Sequence, residues 1–448
     1  MEFPGTKFTK KFRLIYFILV VLLFFIITPL TILYTAGYRY DFSNGVVKVT
    51  GGISIDIKPK ASSIYIDDIL IKQEMPIRLK NVTPKKYTIR IDAGENYYLW
   101  EKEIEVKEKQ TIYIKEINLI KKNTPQLFKT GDITKQKISK DGKYLSYILI
   151  NNNLPEVWIY NLENNEDKII MRLDINEDFN LNWDEKNDYL IISQNKVPTE
   201  KLYVVNAKTT DKIIDLTKKI KEPIDKFVWN NSVEPEIFYS TPDLIYSFKP
   251  NTETVYEMTK NNFIDWYMEN GKLWTLQYDT DLKTYKIIQD TIGFSNDFAV
   301  LNDKKYDNYK IAVAVNNHIL IKNIQKPEMT LLTKNENFNL AGEKFYISPF
   351  NNWWLIWTPW ELRTYSEGEE PQLINRSGEQ LENVVPLDEY NTLCLVWGNK
   401  TSVLFPYYLV GHDFIAGQIN NVEVDSKNKT LYFTAKQDDE KGIYKLNY

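Results

Sequence analysis

The feature that most constrains this chain is a recurring unit of short apolar strands. Its clearest copy runs from Ile138 to Leu162, ISKDGKYLSYILINNNLPEVWIYNL. Ile138 leads into a turn at Asp141-Gly142, and an apolar run follows from Tyr144 to Ile150. After a polar loop with a proline comes a second run, Val157 to Leu162. Asp-Gly between apolar runs is a strong hairpin signal, with both turn residues expected at positive φ. The unit recurs in degraded form to the C-terminus. Asn182-Trp183 leads to Tyr189-Leu190-Ile191-Ile192 and then Leu202-Tyr203-Val204-Val205. Val228-Trp229 leads to Ile237-Phe238-Tyr239 and Leu244-Ile245-Tyr246, and Asp265-Trp266 leads through Asn270-Gly271 to Leu273-Trp274. Later units start near Phe298, Phe345 and Val384, and the last runs through Val422-Val424, Leu431-Tyr432-Phe433 and Ile443-Tyr444.

Four-stranded units at a period of about 40–45 residues indicate a β-propeller. Roughly 325 residues divide into eight units of about 41 or seven of about 46, so the period alone leaves both open. Counting unit starts favours eight blades. The last unit lacks an outer strand, while Gln126-Leu127-Phe128-Lys129 precedes the first unit without a partner there. That stretch is expected to close the ring by completing the last blade, so that no long strand edge is left open. Ser139-Lys140-Asp141-Gly142-Lys143-Tyr144-Leu145-Ser146-Tyr147 resembles the S-P-D-G-K-x-φ-A-Y/F repeat of TolB-like (WD40-like) and peptidase-associated propellers, with Lys140 in place of the proline. The resemblance implies the fold and nothing about function.

A different signal occupies the N-terminus. Leu14 to Leu33, LIYFILVVLLFFIITPLTIL, carries no charge, and the uncharged run extends to Tyr38. A helix needs about 20 apolar residues to span a bilayer. Lys7, Lys10, Lys11 and Arg13 precede the run and only Arg39 and Lys48 follow it closely. This asymmetry predicts a cytoplasmic N-terminus, with the rest of the chain on the other side of the cell membrane. The run exceeds the 7–15 residues of a secretory h-region and no A-x-A site follows, so an uncleaved signal-anchor is expected rather than a signal peptide.

Between anchor and repeats, short runs alternate with period two: Ile53-Ile55-Ile57, Ile64-Ile66, Ile77-Leu79, Tyr87-Ile89-Ile91, Ile104-Val106 and Ile112-Ile114. Separated by turns such as Thr83-Pro84-Lys85-Lys86, they predict a small antiparallel sandwich. Pro59-Lys60-Ala61-Ser62-Ser63-Ile64-Tyr65-Ile66-Asp67-Asp68 resembles the P-E-G-A-x-V-Y-V-D-G opening of PEGA domains, and Met75-Pro76-Ile77-Arg78-Leu79 their T-P-x-x-L. Lys60, Ala61 and Asp68 depart from that pattern, the last where a turn glycine is usual. The resemblance implies a β module of surface proteins with a binding or spacer role. The expected organisation is a cytoplasmic tail at 1–13, a transmembrane signal-anchor at 14–36, a linker at 37–50, a PEGA-like β domain at 51–122 and a propeller at 123–448. Apart from the one helix the chain is expected to be all-β.

Composition narrows the chemistry. A net charge of −4 with signs mixed along the chain offers no basic face for a phosphate backbone, so nucleic acid is not an expected partner. One cysteine, Cys394, excludes a disulfide within the chain. Two histidines, His318 and His412, leave little room for zinc or for histidine-based catalysis. Gly293-Phe294-Ser295-Asn296-Asp297 is half of a nucleophile elbow, without the second glycine. Asp279 with Asp281, and Asp438-Asp439-Glu440, are carboxylate groupings without the D-x-D-x-D-G pattern of a calcium loop, and read as solvated turns. The densest aromatic cluster is Asn351 to Trp360. Trp353, Leu355 and Trp357 should share one face of a strand, with Trp354 and Ile356 on the other, both packed into the core. Trp360, beyond Pro359, is expected on a loop, and with Tyr365 it forms the candidate ligand-binding spot.

These readings converge on a bacterial cell-envelope protein without catalytic residues, metal or cofactor. Its partners are expected to be the lipid bilayer, through the N-terminal helix, and a cell-wall carbohydrate or an envelope protein, through the propeller. The alternatives are an envelope enzyme (a degenerate peptidase or a glycan-active propeller) and a purely structural spacer.

Overall fold

The structure is a computed structural model and describes residues 10–35, 37–41, 46–186, 188–230, 232–242, 244–260, 263–291, 294–301, 306, 308–348 and 353–448. The chain divides into two compact units, Met1–Lys122 and Asn123–Tyr448.

In the first unit a single helix spans Lys10–Thr35, and its segment Leu14–Thr35 is apolar and long enough to cross a membrane. Its 22 residues rise about 33 Å, against a hydrocarbon thickness of about 30 Å. The hydroxyls of Thr31 and Thr35 donate to the carbonyls of Ile27 and Thr31, so the polar atoms near Pro29 stay within the helix. The stretch expected to be a linker contains a two-stranded ladder, Tyr38–Asp41 with Val46–Val49. Two sheets follow. One places Gly51–Lys58 between Ile77–Val82 and Thr111–Asn118, and the other has the order Ile69–Leu70, Ser63–Ile66, Lys86–Asp92, Trp100–Glu105. The alternating isoleucines Ile53, Ile55, Ile57, Ile64, Ile89 and Ile91 are fully buried together with Trp100.

The expectation of an antiparallel sandwich needs one correction. Gly51–Lys58 pairs parallel with Thr111–Asn118. The second sheet lies between these strands in sequence, so the chain can return to the first sheet in the same direction, as a crossover rather than a hairpin. Asp67-Asp68 takes the turn where a glycine is usual. Both residues adopt left-handed backbone, at φ 48° and 63°, in a two-residue hairpin turn. The Asp67 carboxylate accepts the Thr88 N–H and the Lys85 ammonium, and Arg90 pairs with Asp68. Side-chain bonding holds the conformation that glycine would adopt freely.

The second unit is a β-propeller. Among the described residues it has eight four-stranded sheets, each an antiparallel meander. In chain order, blades 1 to 7 span residues 132–172, 179–215, 226–260, 265–301, 309–341, 344–376 and 381–416. Blade 8 is built from Ile419–Asp425, Thr430–Gln437 and Glu440–Asn447, and its fourth strand is Gln126–Thr130, paired antiparallel with Glu440–Asn447. The closing strand expected from the sequence is therefore in place. Phe128 wedges between Tyr160 of blade 1 and Tyr432 of blade 8, with ring centroids 4.9 and 5.5 Å away.

One blade start is corrected. Phe298 lies on Phe294–Leu301, the outer strand of blade 4, packed edge-on against Trp274. Blade 5 starts at Tyr309–Val315, whose Lys-Ile-Ala-Val-Ala run lacks the first-strand Trp (Trp183, Trp229, Trp266) that marks the three blades before it. The Asp141-Gly142 turn also differs in detail. Only Gly142 has positive φ, 73°, while the Asp141 carboxylate accepts the Ser139 hydroxyl and the Lys143 N–H. The turns with both residues left-handed are Asn152-Asn153, Asn270-Gly271, Asn316-Asn317 and Asp438-Asp439.

Candidate functional site: the central channel and the rim

In a ring of radial sheets the first strand of every blade lines the central channel. Its channel-facing edge has no neighbouring strand to pair with, so its backbone groups need other partners. Side chains from the neighbouring blades supply several of them. The Trp183 indole donates to the Lys137 carbonyl at 3.0 Å, and the Trp229 indole to the Asn182 carbonyl at 3.2 Å. Lys344 donates to the Glu382 carbonyl at 2.8 Å. At the seam between blades 8 and 1, Gln136 donates to the Asn421 carbonyl and Asn421 to the Thr134 carbonyl.

Two ion pairs sit within this wall. Lys137 of blade 1 meets Glu423 of blade 8 at 2.8 Å, and the same carboxylate accepts the Ile138 N–H. The Glu423 charge holds the Lys137 ammonium above its ordinary range. Burial pushes the Glu423 carboxyl upward against the opposing pull of Lys137. Lys226 of blade 3 meets Asp265 of blade 4 at 2.8 Å and donates to the Ile311 carbonyl of blade 5 at 2.9 Å, while Asp265 accepts the Ile311 N–H. The Lys226 ammonium also lies over the rings of Trp266 and Tyr267, 5.9 and 5.8 Å from their centroids. Enclosure lowers its pKa despite the Asp265 charge. Three consecutive blades are tied together by this one lysine and one aspartate.

The channel opens into cavities at both ends. Where the inner strands finish, overlapping cavities of about 550 and 460 Å³ draw lining residues from the inner strands of all eight blades. Trp183, Trp229, Tyr267 and Tyr346 wall them, with Glu185 and Glu269 among the lining. Burial first, and then the charges of Glu185 and Glu269, push the Tyr267 phenol up to about 12. Burial likewise raises the Tyr346 phenol, opposed by Lys137 and reinforced by Glu423 and Glu185. Where the inner strands begin, a cavity of about 470 Å³ is lined by Lys135, Lys137, Lys344, Glu382 and Glu423. These residues are absent from the sequence-level candidates. The available signal was a charged residue on a blade's first strand, as at Lys137, Lys226, Asp265 and Glu423.

The residues singled out from sequence fare unevenly. Trp360 sits on the turn between Trp354–Trp357 and Glu361–Tyr365 and is 53% exposed. Tyr365 does not join it. It is 4% exposed, on the inward side of its strand, with its hydroxyl 3.2 Å from His318 Nε2 and its ring against Phe338. Five residues along an extended strand separate the two, which carries Tyr365 away from the loop and into the packing between blades 5 and 6. The tryptophan cluster divides as its alternation predicts: Trp353, Leu355 and Trp357 pack toward blade 7, and Trp354 and Ile356 toward blade 5.

The other candidates have structural surroundings. His318 is buried, with Nδ1 3.0 Å from the Asn316 carbonyl. His412 lies on Val410–Ala416, its ring edge-on to Phe405. Ser295 is exposed on an outer strand, opposite Asp290 in register, and Gly293 lies outside the described residues. Asp279 accepts the N–H groups of Asp281 and Leu282, and Asp438-Asp439 forms a two-residue hairpin turn. Among the described residues no three His, Cys, Asp or Glu side chains are grouped to hold a metal ion.

No family model and no curated protein matches the chain. Among solved structures it is similar to the β-propeller domain of Cps50 (Swd1) from Myceliophteria thermophila, at 11% identity over 72% of this chain and 98% of that one, with a TM-score of 0.43. It is also similar to the β-propeller domain of the Trilobed protease from Pyrococcus furiosus, at 13% identity over 66% and 96%, with a TM-score of 0.35. Dipeptidyl peptidase 4 of Porphyromonas gingivalis matches at 8% identity over 70% and 57%, with a TM-score of 0.46. Likeness at this level concerns the fold alone and says nothing of ligand or activity.

Proposed function

We propose that the chain is a single-pass envelope protein, anchored by its N-terminal helix with a PEGA-like module and the propeller outside the cytoplasm. The propeller holds a ligand or partner protein through one rim and does not transform it. The observation that carries this reading is Trp360. A large aromatic side chain stands 53% exposed on a turn held by Thr358, whose hydroxyl accepts the Trp360 and Glu361 N–H groups. The equivalent turns of the two preceding blades also present exposed apolar side chains, Leu282 at 63% and Ile324 at 60%. Inner strands of a propeller all run one way, so these three turns share one face. Rigid scaffolds commonly carry contacts on such loops.

The absence of catalysis is supported by what the candidate nucleophiles and bases are doing. His318 is tied to Tyr365 and a backbone carbonyl, Cys394 is fully buried, and Ser295 pairs with Asp290 in an outer-strand ladder. The test compares two tryptophans. Trp360→Ala should weaken retention of the full chain on isolated cell-envelope material while leaving the melting temperature nearly unchanged. Trp353→Ala, a buried position, should cost about 3–5 kcal/mol of stability. Unaltered retention by Trp360→Ala would remove the rim as the contact surface, and no retention of the parent chain would favour a spacer.

A further inference from the structure

The two ends of the channel differ in charge. The cavities where the inner strands finish are lined by four carboxylates, Asp184, Glu185, Glu269 and Glu423, against two ammonium groups, Lys137 and Lys140. The cavity at the opposite end has three ammonium groups, Lys135, Lys137 and Lys344, against two carboxylates. A narrow cavity with low-dielectric walls and one dominant sign concentrates ions of the other sign. The acidic end is also the aromatic end, where Trp229 and Tyr267 stand beside Glu185 and Glu269. Carboxylates beside aromatic faces are the combination that binds organic cations, by charge-assisted hydrogen bonds at one side and ring contact at the other.

The channel already uses this combination on a cation of its own. Lys226 is held by the Asp265 carboxylate, the Ile311 carbonyl and the rings of Trp266 and Tyr267. Tyr267 thus lies under the Lys226 ammonium and also lines the acidic cavity. A second cation in that cavity would meet Glu185 and the remaining lone pairs of Glu269, whose oxygens already accept the Asn316 N–H and the Trp274 indole; both charges act on the Tyr267 phenol. The Lys226 charge beneath is neutralised by Asp265. At about 550 Å³ the cavity accommodates a long side chain with its flanking backbone.

We propose that the acidic, aromatic end of the channel is a second binding site, which receives a lysine or arginine side chain of a partner polypeptide. This site is independent of the Trp360 rim. A blocked tetra-lysine peptide is titrated into the full chain in detergent micelles and total tryptophan emission is read, with Trp183 and Trp229 the emitters that line the cavity. A saturable change is expected, weakening as salt is raised. Glu185→Gln should weaken binding about tenfold, the loss of one charge-assisted hydrogen bond. Glu185→Lys should abolish it, with both variants melting like the parent. Trp360→Ala should leave it intact, which separates this site from the rim. No saturable change, equal binding of a tetra-glutamate peptide, or indifference to both Glu185 variants would overturn the proposal. So would a preference for a neutral oligosaccharide over the lysine peptide.

Discussion

Cys394 shows how completely a single position is settled by its surroundings. It lies on Leu393–Trp397, the second strand of blade 7, between Val385 and Val403 in register, and is fully buried. Burial pushes its thiol from 9.0 up to about 12. The native state therefore keeps its proton after the unfolded chain has lost it. This thiol's contribution to stability is full below about pH 9 and is lost as pH rises toward about 12. The thiolate is the reactive form, so a native sample at pH 8 should leave Cys394 unlabelled by iodoacetamide, with full labelling after denaturation. Labelling of the native chain at the denatured rate would mean that blade 7 opens far more readily than its packing implies. Aromatic residues were legible only in part at this scale. Alternation placed Trp353 and Trp354 on opposite faces correctly, because strand geometry alone decides that. Tyr365 was misplaced because loop proximity in sequence says nothing about which side of the following strand a residue occupies, and its polar hydroxyl finds a buried partner in His318.

At the scale of elements, the closing strand was legible because an apolar run without a local partner must find a distant one. Its register and its tolerances were not legible. Gly442 lies opposite Thr130, and a Cβ there would meet the Lys129 carbonyl at 1.9 Å and Leu127 at 2.9 Å. The contact atom is backbone, held in the ladder and beside the bulge between Leu127 and Lys129, so it cannot rotate away. Gly442→Ala should displace the closing strand and cost about 1–3 kcal/mol, the usual range for overpacking. Deleting residues 124–130 should cost more and expose the edge of Glu440–Asn447 to aggregation. Thermal melts and light scattering of both variants check this. Melting like the parent in either case would mean that the seam of Gln136, Lys137, Asn421 and Glu423 closes the ring without the strand. Blade 5 shows the opposite limit. Its first strand carries no strand-internal tryptophan, and the aromatic Phe298 of the preceding outer strand imitates a unit start.

At the scale of the molecule, fold and ligand were unequally legible. The ring follows from periodicity, which every blade repeats. The channel site does not, since Glu185, Glu269, Tyr267 and Lys226 come from three different blades and meet only after the ring closes. The proposed orientation of the chain across a membrane rests on a still simpler property. Lys7, Lys10, Lys11 and Arg13 precede the apolar segment Leu14–Thr35 within a few residues, and positive charge near the end of a spanning helix is retained on the cytoplasmic side. The propeller should then be reached by protease added outside the cytoplasmic membrane. Spheroplasts of cells expressing the chain with an epitope after Tyr448 should lose that epitope to external protease, while a cytoplasmic marker persists. Replacing the four basic residues by glutamine and placing four lysines after Arg39 should reverse the outcome, since the charge bias and not the apolar run sets direction. An epitope protected in intact spheroplasts and degraded only after lysis would place the propeller in the cytoplasm and remove the envelope as its site of action.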